Sequence, residues 1–93
     1  MAQIKIENGF LDYSIEETEI TIDMIKAFQH GQGTGTELIY KLKAIARDLN
    51  LPIGLYAEPQ DDTITEEGLK AFYIANGFKL DVNDTDGKLF IFN

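Results

Sequence analysis

The chain has 93 residues, enough for one domain (1–93) with a modest core. It has no cysteine and one histidine, which excludes a disulfide scaffold, a thiolate zinc site, a cysteine nucleophile and a His-rich metal site. A net charge of −8 disfavours direct nucleic-acid binding, which relies on cations at phosphates, and suits either plain solubility or a basic partner such as a lysine-rich protein face. No apolar run approaches the ~20 residues of a membrane span. Met1-Ala2-Gln3-Ile4-Lys5 lacks the apolar stretch of a signal peptide, so a cytoplasmic location with no membrane partner is expected.

The first third reads as antiparallel strands. Ile4 and Ile6 alternate with Lys5 and Glu7, and Asn8-Gly9 is a hairpin signal because both residues tolerate positive φ. Leu11, Tyr13 and Ile15 alternate with Asp12 and Ser14, and Glu16 to Glu19 forms a polar turn. A long third strand follows from Glu19 to Phe28. There Ile20, Ile22, Met24 and Phe28 are expected on one face, with Lys26 interrupting it. The period then changes. From Thr36 to Leu49, the residues Leu38, Ile39, Leu42, Ile45, Ala46 and Leu49 form a helical stripe, and Asn50 and Pro52 end it.

Ile53-Gly54-Leu55-Tyr56-Ala57 reads as a buried strand. Reaching it through a helix implies parallel pairing with the third strand. After a loop from Pro59, a second helix is expected from Glu66 to Asn76, with Thr65 as its cap and Gly77 as its left-handed stop. Phe78 to Leu80 and Lys88 to Phe92 form a last hairpin. The order βββ-α-β-α-ββ predicts an α+β fold, a mixed and mostly antiparallel sheet with two helices. Asp81 to Gly87 hints at a calcium loop. Its glycine comes one residue late and its twelfth position is Phe92, so a polar turn is the better reading.

Gly31, Gly33 and Gly35 fall between the third strand and the first helix. The turn's amides and the helix's first N–H groups suit a pyrophosphate, and Thr34 and Thr36 offer hydroxyl donors. No lysine completes a Walker A loop, and the spacing does not fit a G-x-G-x-x-G dinucleotide fingerprint. On these residues alone, a tight strand-to-helix turn remains the alternative.

His30-Gly31-Gln32-Gly33-Thr34-Gly35 resembles the coenzyme loop of the GCN5-related N-acetyltransferase superfamily, with His30 where the pattern has Arg or Gln. Tyr73-Ile74-Ala75-Asn76-Gly77-Phe78 is similar to the family's Tyr-x-x-x-Gly-Phe stretch. Tyr13 to Glu17, Thr21 to Met24, Leu51 to Ala57 with Pro59-Gln60-Asp61-Asp62, and Asp86-Gly87 resemble a narrower group. These are the small phage-type anti-CRISPR lysine acetyltransferases that act on type V CRISPR nucleases. Helices that wall the acceptor site in larger members are missing. The resemblance therefore implies a truncated fold with an open cleft, suited to a residue on a protein surface.

The resemblance implies acetyl-CoA as cosubstrate. Met24, Ile25 and Lys26 would hold the pantetheine arm, with the N–H near Ile25 polarising the thioester carbonyl. Gly31, Gln32, Gly33, Thr34, Gly35 and Thr36 would grip the pyrophosphate, and Phe72 would line the coenzyme site. Tyr73 reads from spacing alone as a core aromatic, and by resemblance as the general acid for the departing thiolate. For the general base, Glu58 is the first candidate, acting through water, with Asp61 and Asp62 as rivals; His30 could titrate near neutrality but, in the phosphate turn, is read as facing the coenzyme or solvent. A protein substrate with an exposed lysine, such as a CRISPR effector nuclease, is the expected partner of a monomer or homodimer. A small-molecule amine acetyltransferase and a non-catalytic coenzyme-binding module are the competing functions.

Overall fold

The computed structural model describes residues 2–29, 31–59 and 64–93. Eight elements follow in order: β1 (Ala2–Ile6), β2 (Gly9–Ile15), β3 (Ile20–Ala27), α1 (Thr34–Leu49), β4 (Ile53–Tyr56), α2 (Glu66–Ala75), β5 (Lys79–Leu80) and β6 (Leu89–Phe92). They build one six-stranded sheet in the order β1-β2-β3-β4-β6-β5. Among the described residues only β3 and β4 pair in parallel, as the helical crossover between them requires; the other neighbours are antiparallel. No helix among the described residues is long and apolar enough to cross a membrane.

Alternation along β2 sends Leu11 and Tyr13 to the core face. There they meet Ile20, Ile22, Ile53, Leu55 and Phe90 from neighbouring strands, and Leu38, Ile39, Leu42 and Ala46 from α1. The two helices lie side by side on this face. Phe72 of α2 packs at Gly35 of α1, and Lys43 of α1 donates to the Asn76 carbonyl at the end of α2 while standing 4.2 Å over the Phe92 ring. The opposite face carries Phe10, Asp12, Lys26 and Tyr56 and has no helix against it among the described residues.

Three expectations are corrected. First, β3 does not keep one apolar face from Ile20 to Phe28. Tyr13 pairs with Ile22 but Asp12 pairs with Met24, so Asp23 is an extra residue, a β-bulge. The bulge inverts the alternation beyond it. Ile25, opposite Leu11, packs against the core, whereas Met24 joins Asp12 on the outer face. The Ser14 hydroxyl holds the bulged Asp23 carboxylate at 2.6 Å. Phe28 is 53% exposed and leans on Phe10, ring centroids 6.1 Å apart.

Second, the β1–β2 turn is Glu7-Asn8, and Gly9 is already the first residue of β2, opposite Ile6. Neither Asn8 nor Gly9 has positive φ. Gly9 is small for a different reason: a Cβ there would collide with the Lys26 carbonyl oxygen and stand 2.9 Å from Thr34 Cγ2. Third, α1 starts two residues earlier than its apolar stripe indicates, at Thr34. Thr34 and Gly35 are helical but belong to the packing of the loop rather than to the stripe.

Candidate functional site

The parallel pairing of β3 and β4 is short. It joins Ile20 to Ile53 and Thr21 to Gly54 and then stops, although β3 runs on to Ala27. The bulge at Asp23 bends β3 where the two strands part. Between them opens a cleft of about 510 Å³. Its walls are the β3 stretch from Ile22 to Ala27, the end of β4 with Tyr56 and Glu58, the glycine-rich loop, and the α2 side chains Leu69, Phe72 and Tyr73. Met24, Ile25 and Lys26, Gly31 to Thr36, Glu58, Phe72 and Tyr73 are thus brought together on one cleft. Of the sequence-predicted residues, His30, Asp61 and Asp62 lie outside the described residues, as do Gln60 and Thr63.

The loop's three glycines serve two purposes. Gly31 (φ +80°) and Gly33 (φ +72°) hold left-handed backbone, with open space where a Cβ would stand. Gly35 is an ordinary helical residue; a Cβ on it would stand 2.8 Å from Phe72 Cζ, so it is small to let α2 approach. Gly33 is also the N-cap of α1 and supplies no side-chain hydrogen bond to the helix's first amides. The first turn of α1, where a helix keeps its orphan donors and the positive end of its dipole, lines the cleft through Gly33 to Thr36. Thr36 is exposed beside them. Thr34 is 5% exposed, and its Oγ1 accepts from Asn8 Nδ2 at 2.6 Å, which ties the hydroxyl to the β1–β2 turn.

Tyr73 is placed by the end of α2. The Phe78 N–H donates to the Tyr73 carbonyl (3.0 Å) and the Gly77 N–H to the Ile74 carbonyl (3.0 Å), with Gly77 at φ +91°. This is a Schellman stop, whose characteristic apolar pair is the residue at its start and the one just past the glycine. Here those are Tyr73 and Phe78, with rings edge to face at 5.4 Å. The spacing of the Tyr-x-x-x-Gly-Phe stretch thus has a structural cause that fixes the Tyr73 ring. Phe72 stands edge-on from the other side at 5.1 Å. Tyr73 is 3% exposed, and burial pushes its phenol well above the ordinary range, which keeps the proton on.

Glu58 lines the cleft mouth with its side chain 61% exposed, and Lys88 Nζ lies 3.5 Å from its Oε1. Lys88 also reaches Glu66 at 3.5 Å, and Glu66 pairs with Lys70 at 3.1 Å, so a chain of surface ion pairs links the end of β4 to the start of α2. The Lys70 hydrogen bond holds the Glu66 carboxyl below the usual range, and the Lys88 ammonium is raised chiefly by Glu66. In the β5–β6 connection, Asp84 Oδ2 accepts from the Lys88 and Leu89 N–H groups, at 2.9 Å each, and Asp81 Oδ1 from the Asn83 N–H. These carboxylates organise a turn.

Sequence reasoning missed Asn8 as part of this region. Its Nδ2 donates to the Gln29 carbonyl (3.0 Å) as well as to Thr34, its Oδ1 accepts the Gln29 N–H (3.0 Å), and its own carbonyl accepts the Phe28 N–H (2.7 Å). The available signal was Asn8-Gly9, which carries a second meaning besides a turn.

No protein-family model matches the chain, and no curated protein matches it. Solved structures do. The crystal structure of the anti-CRISPR protein AcrVA5 superposes with a TM-score of 0.96 at 47% identity, covering 99% of this chain and 97% of that one. The PaiA N-acetyltransferase from Thermoplasma acidophilum, in complex with coenzyme A, gives 0.70 at 18% identity over 90% of this chain and 52% of that one. A putative acetyltransferase of the GNAT family from Bacteroides thetaiotaomicron gives 0.61 at 19% identity, 90% and 53%. The chain spans about half the length of these last two, and their likeness shows the shared fold.

Proposed function

The chain belongs to the family of the anti-CRISPR protein AcrVA5, on the fold of the GCN5-related N-acetyltransferases, and from that membership and the cleft we propose that it is an acetyl-CoA-dependent N-acetyltransferase acting on a lysine side chain of a protein. The observation that carries this reading is the cleft between the parted strands. It joins an uncapped helix N-terminus, which binds an anion, to a buried phenol, which donates a proton.

In this reading the coenzyme pyrophosphate sits on the amides of Gly31 to Thr36, with the Thr36 hydroxyl beside them. The pantetheine arm lies along the edge of β3 from Met24 to Lys26, where no backbone pairing to β4 occupies the strand. An N–H near Ile25 polarises the thioester carbonyl. A lysine acceptor has an ordinary pKa near 10.4, so it must lose a proton before it attacks; Glu58 takes that proton through water. The amine nitrogen bonds the carbonyl carbon, the C–S bond breaks, and the departing sulfur receives a hydrogen bond and then a proton from Tyr73; the second proton on the nitrogen returns to the Tyr73 oxygen, which leaves a neutral amide and a neutral phenol. Because burial holds Tyr73 neutral, that donor is in place at any pH at which the acceptor amine is available.

The uncovered outer face gives a residue of a protein surface room to reach the cleft, which favours a protein acceptor over an enclosed small amine. AcrVA5 is an anti-CRISPR protein; with the sequence resemblance to acetyltransferases that act on type V CRISPR nucleases, this favours a lysine of such a nuclease as the target, reached in the cytoplasm. The test is incubation with acetyl-CoA and a type V nuclease, followed by peptide mass spectrometry. An acetylated lysine that disappears with Tyr73→Phe supports the proposal. An unmodified nuclease, with coenzyme A released only by small amines, contradicts it.

A further inference from the structure

The loop that faces the cleft is held from outside itself. Its leading end, Phe28-Gln29, and its trailing end, Thr34, are both tied to Asn8, which lies more than twenty residues earlier in the β1–β2 turn. A single side chain spans the loop: Nδ2 reaches the Gln29 carbonyl at 3.0 Å and Thr34 Oγ1 at 2.6 Å, while Oδ1 accepts the Gln29 N–H at 3.0 Å. The fit beneath is close. Gly9 has no room for a Cβ, because Thr34 Cγ2 and the Lys26 carbonyl fill that space. The loop supplies no cap of its own to α1, so nothing within the cap residue fixes where the first helical amides point.

We propose that Asn8 is a positioning residue for the coenzyme: it closes the loop ends to the separation at which the Gly31–Thr36 amides converge on a pyrophosphate. This rests on the reading of that loop as the pyrophosphate site. Asn8 does not line the cleft and touches no reacting atom. Its side chain acts through Gln29 and Thr34. An asparagine suits the task because one planar amide offers both donor and acceptor at one position. The role is confined to the phosphate end, so it discriminates between ligands that carry a pyrophosphate and ligands that do not.

The experiment is calorimetric titration of the full chain with coenzyme A and, separately, with pantetheine, which lacks the pyrophosphate and the nucleotide. Wild type is expected to bind coenzyme A far more tightly than pantetheine. Asn8→Ala is expected to lose about tenfold in coenzyme A affinity, the scale of one or two hydrogen bonds, with pantetheine affinity unchanged. Thr34→Val, which keeps the methyl against Gly9 and removes only the acceptor, is expected to lose about threefold, again for coenzyme A alone. It carries the test if Asn8→Ala does not fold. Unchanged coenzyme A affinity in these variants overturns the proposal, and so does an equal loss for both ligands, which marks a merely structural role. A wild type that binds pantetheine as tightly as coenzyme A overturns the pyrophosphate reading of the loop itself.

Discussion

The two helices begin in opposite ways. At α2 the N-cap is Thr65, whose hydroxyl accepts the Gly68 N–H at 3.0 Å, and Glu66 and Glu67 follow in the first turn. That end is closed: a donor is satisfied and the dipole is answered by nearby carboxylates. At α1 the N-cap is Gly33 in left-handed backbone, with no side chain to offer. Nothing in that cap answers the first amides, the first turn holds one carboxylate, Glu37, and Gly33 to Thr36 line the cleft. The chain thus gives a side-chain cap to α2 and none to α1, whose start is the proposed pyrophosphate site. α2 serves the cleft from its other end, where the Schellman stop holds Tyr73.

That contrast can be broken in several places. The largest effect is expected at Tyr73. Tyr73→Phe keeps the edge-to-face packing with Phe72 and Phe78 and removes only the proton donor, so kcat for acetyl transfer is expected to fall about a hundredfold or more, with the melting temperature nearly unchanged. A kcat within a factor of two of wild type would make Tyr73 a packing residue. Gly33→Val comes next. A β-branched residue at φ +72° is strained, and its side chain fills the open space over the amides. KM for acetyl-CoA is expected to rise by about tenfold or more, with stability lowered by about 1–3 kcal/mol, readable by steady-state kinetics and denaturant melts.

Burial of Tyr73 makes a pH prediction. Its folded pKa is raised above the unfolded value, so its contribution to stability is fully present below the unfolded pKa and is lost as pH rises through the folded one. Above about pH 10 the wild type should therefore lose up to about 1.4 kcal/mol per pH unit from this group. Urea melts of wild type and Tyr73→Phe should diverge there, with the phenylalanine variant falling less steeply. Thr65→Ala is the smallest of the set. It is expected to cost about 1 kcal/mol of stability and to leave KM for acetyl-CoA unchanged, because that cap serves the fold alone. A matching rise in KM would erase the distinction between the two helix starts.

Periodicity alone made the order of elements legible. The alternation in β2, the 3.6-residue stripe of α1 and the short apolar run of β4 each respond to a single buried face, which a one-dimensional pattern records. The paired motifs were legible as well, and the fold gives one of them a mechanical reason in the Tyr73–Phe78 helix stop. What could not be read depends on contacts distant in sequence. The bulge at Asp23 exists because β2 and β3 change register there, and β3 by itself shows only alternating Ile22 and Met24. Gly35 looks like a loop glycine until Phe72 arrives against it from α2. The sequence does not show that Thr34 accepts from Asn8, or that Asn8, besides standing in the turn, is bonded to the loop.

The most direct measurement is a ¹⁵N-resolved NMR titration of the protein with coenzyme A. The uncapped start of α1 predicts large shifts at the Gly31, Gly33, Thr34, Gly35 and Thr36 amides, with Glu66, Glu67 and Gly68 at the capped start of α2 left where they are. Binding that leaves the α1 amides unmoved, or that moves the α2 amides equally, would contradict the account.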